Sequence, residues 1–109
     1  MTYNEGWIEV FAGGAAEPLD SERTGLPRFG QLESRPGRGD YWVPFLQKWA
    51  QARGADIHYI DNCWLKVAVS AAGLRDFLKA IDQPDNTWIG PLLDRIDPRD
   101  TYLIEAEEF

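Results

Sequence analysis

The chain has 109 residues, 44% of them hydrophobic and 13% aromatic, five of them Trp; the length suits one domain and the aromatic content excludes disorder throughout. Eleven Lys and Arg against 18 Asp and Glu give a formal net charge of -7, which argues against a protein that grips nucleic acid through its phosphates, because that grip comes from Lys and Arg. A single Cys and a single His exclude an intramolecular disulfide and a Cys/His zinc site.

The first residues, Met1 to Trp7, are polar and lack the basic-then-apolar pattern of a secretory signal. The longest weakly polar run, Trp64 to Leu74, is interrupted by Lys66 and Ser70 and falls short of the roughly 20 apolar residues of a membrane span. A cytoplasmic location is expected, and the lone Cys63 fits a reducing compartment.

Trp7-Ile8-Glu9-Val10-Phe11 is rich in aromatic and β-branched residues and predicts a strand that Gly13-Gly14 ends. The stretch from there to Asp40 holds six of the ten Gly, three of the seven Pro, and Arg23, Arg28, Arg35 and Arg38. It is far longer than an ordinary connection, and Phe29 to Glu33 is its best candidate for a short strand. Guanidinium groups match phosphate geometry, but Asp20, Glu22, Glu33 and Asp40 lie among these arginines, so the loop reads as locally neutral.

A helix follows. Asp40 suits its cap, Pro44 its first turn, and Gly54 a left-handed C-terminal cap. Phe45, Leu46, Trp49 and Ala50 share one face. Ile57 to Ile60 and Trp64 to Ser70 are strands joined at Asp61-Asn62, forming a hairpin. Ser70 caps a second helix carrying Leu74, Phe77, Leu78 and Ile81 at i, i+3, i+4, i+7, the strongest periodic signal in the chain. Gln83-Pro-Asp-Asn breaks that helix, Gly90 to Ile96 gives one more helical turn stopped by Asp97-Pro98, and Thr101 to Ala106 is the last strand.

The order predicts an α+β fold for residues 1–109: a two-layer sandwich with the β-α-β-β-α-β order of a ferredoxin-like domain and a long loop after the first strand. With the helices on one sheet face, alternation leaves Trp7, Glu9 and Phe11 of the first strand and Trp64, Lys66 and Ala68 of the third on the other. In the last strand Tyr102, Ile104 and Ala106 share one side, Leu103 and Glu105 the other; for His58 and Ile60 against Ile57 and Tyr59 both choices stay open. Exposed rings of this kind mark a partner site, unless the long loop, with Leu26, Phe29 and Leu32, covers them.

Charge is uneven. Residues 1–54 hold seven acids and six bases, residues 55–109 eleven acids and five bases, and the acids gather at Asp94, Asp97, Asp100, Glu105, Glu107 and Glu108. The plain interpretation is a solvated, solubilising surface; the sharper one is an acidic face complementary to a basic partner. The Asp94, Asp97, Asp100 spacing does not match a calcium loop, so turn capping is expected there and no metal. His58 and Cys63 are the one available thiol–imidazole pair, but no nucleophile signature surrounds Cys63, and a Cys beside a strand is expected to pack. No cofactor motif is present.

These observations favour a non-enzymatic acidic protein that binds the surface of a basic or nucleic-acid-handling protein and inhibits it by occlusion, as immunity proteins, antitoxins and phage anti-defence proteins of the anti-CRISPR kind do. Trp7, Trp64 and Trp88 would anchor the interface, with Asp94, Asp97, Asp100, Glu105 and Glu107 around them. No direct contact with nucleic acid or membrane is expected. The competing expectations are base stacking of RNA or a nucleotide on the aromatic sheet face, a small enzyme using His58 with Asp56 or Asp61, and a homodimer through the rings.

Overall fold

A computed structural model describes residues 6–14, 24–32, 41–81 and 89–108. Its elements are β1 (Gly6–Ala12), β2 (Arg28–Leu32), α1 (Trp42–Ala52), β3 (Ile57–Asp61), β4 (Trp64–Ser70), α2 (Ala71–Ala80), α3 (Ile89–Arg95) and β5 (Thr101–Glu108). The five strands form one sheet in the order β2-β1-β5-β4-β3, with every neighbouring pair antiparallel.

Local chemistry sets the element ends. Ser70 is extended, and its hydroxyl accepts from the Gly73 N–H at 3.0 Å, which starts α2 where the sequence places it. At the end of α1, Gly54 has φ +68 and donates to the Gln51 carbonyl, while Ala55 donates to the Ala50 carbonyl. This pair of bonds satisfies the last free carbonyls, and the positive φ suits glycine. Asp61 turns the β3–β4 hairpin by accepting from the Cys63 N–H at 2.7 Å. The start of α1 differs from expectation: its N-cap is Tyr41, whose side chain makes no capping hydrogen bond, and Glu108 Oε1 instead accepts from the Val43 N–H at 3.2 Å. A carboxylate at the end of β5 thus does the work expected of Asp40, which lies outside the described residues.

The ferredoxin-like strand order does not hold. That topology needs its first and second long strands parallel, and likewise its third and fourth, each pair joined by one helix. Here two further elements each add a chain reversal. β2 intervenes between β1 and α1, so β3 runs opposite to β1. The short helix α3 intervenes between α2 and β5, so β5 runs opposite to β4 and pairs with it directly. The expected strand within the long loop is present, at Arg28–Leu32, and it is one of the two elements that change the topology.

α1 and α2 pack on one face of the sheet. Ile8, Val10, Leu65, Val67, Ile104 and Ala106 meet Leu46, Ala50, Leu74, Phe77 and Leu78 there, all of them buried. Each fully buried Val, Ile, Leu or Phe among them contributes about 1.5–3 kcal/mol. Phe77 lies edge-on to Phe45 and Trp49, with centroids 5.6 and 5.1 Å apart, which ties the two helices together. On the β2 side, Phe29 packs edge-to-face with Tyr102, and the Arg95 guanidinium of α3 lies over the Phe29 ring. Among the described residues no helix is long and apolar enough to cross a membrane.

Candidate functional site

The face of the sheet away from α1 and α2 carries the candidate site, and strand register builds it in rows. Trp7 of β1, Glu107 of β5 and Trp64 of β4 lie directly opposite one another. The next row is Glu9, Glu105, Lys66 and His58, and the third is Phe11, Leu103 and Ala68. The register therefore puts His58 on this face and Ile57 with Tyr59 on the other.

The middle row holds a buried ion pair. Lys66 is fully buried and Glu105 is 3% exposed, with Lys66 Nζ 3.8 Å from Glu105 Oε1. Two neutral donors also serve Glu105: the Trp64 indole N–H reaches Oε2 at 2.6 Å, and the Thr24 hydroxyl donates to Oε1. Thr24 belongs to the segment before β2, so that segment does reach over the outer face. Two neighbouring acids of the face, Glu9 and Glu107, differ from Glu105 and from each other. Glu9 pairs with Arg28 at 2.8 Å. Among the described residues no Lys, Arg or His pairs with Glu107.

Desolvation pushes the Glu107 carboxyl above the usual carboxylate range; the charge of Asp61 adds to that push, a hydrogen bond from the Trp7 indole opposes it, and the charge of Glu105 adds again. Trp7, Glu9, Phe11, Thr24, Arg28, Trp64, Glu105 and Glu107 line a shallow, solvent-open concavity of about 550 Å³. Three rings, three carboxylates and one guanidinium thus share one depression. Trp7 and Trp64 are half-buried, whereas Phe11, expected as an exposed ring, is buried.

Of the residues singled out by sequence, Trp7, Trp64, Glu105 and Glu107 come together here. Asp94, Asp97 and Asp100 do not join them. Asp94 is exposed on α3. Asp97 accepts from the Arg99 backbone N–H at 2.9 Å, and that bond, with help from the Arg99 side chain, holds its carboxyl below the usual range. Asp100 accepts from the Thr101 N–H at 2.8 Å. These acids shape the turn into β5, and Glu107 stands about 20 Å further along that strand. Trp88 lies outside the described residues, as do Arg23, Arg35 and Arg38. Cys63, expected to pack, is exposed in the hairpin turn although its carbonyl still bonds to β5. His58 is half-buried and does not line the concavity. Among the described residues no group of three or more His, Cys, Asp or Glu is arranged to hold a metal ion.

The sequence reading missed Thr24 and the Lys66–Glu105 pairing. One signal was available for the second: a single Lys in one strand and a Glu in another, each at an alternate position among apolar residues. No protein-family model matches the chain, and no curated protein or solved structure is significantly similar to it.

Proposed function

We propose that this protein is a non-enzymatic binding module that occludes a basic surface of a partner protein, acting as immunity proteins, antitoxins or phage anti-defence proteins of the anti-CRISPR kind do. The observation that carries this reading is the solvent-open concavity in which Trp7, Phe11 and Trp64 surround Glu9, Glu105 and Glu107. Half-buried indoles supply contact area with little conformational entropy to lose, as interface anchors do. The carboxylates among them favour cationic groups and repel phosphate, which sets this face apart from the aromatic-plus-basic sheets that stack RNA bases. The net charge of -7 speeds encounter with a basic partner. Asp94, Asp97 and Asp100, at the far end of β5, contribute to that long-range field.

The test is cross-linking in the native cell, followed by reconstitution with the captured protein. The expected result is a 1:1 complex with a basic protein, an association rate that falls by about tenfold or more as salt is raised from low to physiological levels, and stoichiometric loss of the partner's activity. Recovery of no basic partner, a homodimer alone, or micromolar, salt-sensitive binding of single-stranded RNA overturns the reading.

A further inference from the structure

We infer that the row Trp7, Glu107, Trp64 is a slot for one arginine side chain of the partner, with the guanidinium over Glu107 and the two indoles on either side. This rests on the protein-binding reading above and names what that surface grips.

Register gives the slot its shape. Trp7 and Trp64 lie on the two strands that flank β5, each directly opposite Glu107. Their backbones are therefore two strand spacings apart, about 10 Å. Both indole N–H groups turn toward β5, that of Trp7 to Glu107 and that of Trp64 to Glu105 Oε2 at 2.6 Å, so the two rings are anchored on either side of the strand that carries Glu107.

Charge gives it its preference. Of the three carboxylates in the concavity, Glu9 is matched by Arg28 and Glu105 by Lys66. Arg28 lines the same concavity, but its guanidinium is held on Glu9 at 2.8 Å, in the next row. Glu107 has no cation among the described residues; its near charges are Asp61 and Glu105, both negative, and it is partly desolvated. A carboxylate in that position gains most from a cation that arrives with its own hydrogen-bond donors.

Arginine fits better than lysine on two grounds. Its planar group stacks on indole faces, and it sheds water more readily than an ammonium. Its forked donors also engage a carboxylate that already accepts from the Trp7 indole.

The test uses small probes, so it is independent of any partner. N-acetyl-arginine amide is titrated into the isotope-labelled protein while the indole N–H resonances are followed, with N-acetyl-citrulline amide, the uncharged analogue, as control. The expected result is saturable, millimolar binding of the arginine probe that moves the Trp7 and Trp64 signals, with no saturation by citrulline. Glu107→Gln weakens binding by about tenfold, the scale of a lost charge-assisted hydrogen bond. Trp7→Leu, which leaves the Lys66–Glu105 pair untouched, also weakens it. Equal binding of citrulline, shifts confined to other indoles, or a change below about threefold in Glu107→Gln with its fold intact overturns the slot. A partner complex that forms normally with Glu107→Gln overturns the slot and leaves the proposed function standing. Arginine binding without any partner does the reverse.

Discussion

The two faces of the sheet are built from the same strands and obey different rules. β5 shows this within one segment. Tyr102, Ile104 and Ala106 point into the helix-covered side and are buried against apolar neighbours, whereas Leu103, Glu105 and Glu107 point the other way. The first face is held by area removed from water, and its polar groups stay at the margins, the Tyr102 hydroxyl on the Asp97 N–H and the Glu108 carboxylate on the Val43 N–H. The second keeps a fully buried lysine, and it does so only because carboxylate, indole and hydroxyl are all directed at one another. Burial on the helix side is a matter of volume; on the outer side it is a matter of matched partners.

The largest break in this contrast comes from the helix side. Phe77→Ala removes a ring with no exposed surface that bridges α1 and α2, and a loss of about 3–5 kcal/mol is expected in urea unfolding. The outer face responds to a different manoeuvre. Lys66→Met leaves Glu105 buried without its cation, and a loss of about 3 kcal/mol is expected, at the low end for a broken buried pair because the Trp64 and Thr24 donors remain. Replacing both members, Lys66→Met with Glu105→Leu, is expected to recover most of that loss. A double-mutant cycle that finds the two changes simply additive would show the pair to be uncoupled.

The smallest effect sharpens the comparison within the outer face. Folding raises the Glu107 pKa, so the folded state binds more protons than the unfolded state just above the carboxyl's ordinary value of 4.5. Ionised Glu107 therefore weakens the fold as pH rises through that window. Glu107→Gln is expected to be slightly more stable than the parent at pH 7 and to lose that advantage below about pH 4. Asp97 acts in the opposite sense. Its pKa is lowered, so its contribution is present at neutral pH and fades as pH falls through that depressed value. Thermal unfolding of the parent and of Glu107→Gln across pH 3–8 checks the sign for Glu107.

What could be read from the sequence was local. The alternation of Trp64 to Ser70 and the Ser70 cap appear in the structure with the expected bounds, because period and cap chemistry depend on residues a few positions apart. Sheet order did not follow, since it depends on how many times the chain reverses between long strands, and β2 and α3 are short segments with weak periodic signals. The acids of the last 16 residues read as one run along the chain. Strand geometry gives them separate surroundings: Asp97 and Asp100 at backbone N–H groups of a turn, Glu105 inside an ion pair, Glu107 between two indoles and Glu108 at the start of α1. The rings of the outer face were legible from alternation. Thr24 was not, because nothing in a loop's composition says which strand it will cross.

Cys63 gives the molecule a built-in attachment point. It is the one thiol in the chain, it is exposed in the hairpin turn next to Trp64, and its carbonyl accepts from the Glu108 N–H at 2.8 Å. A maleimide dye placed there needs no engineered residue and sits beside one wall of the concavity, so its emission reports any occupant of that depression in the parent sequence.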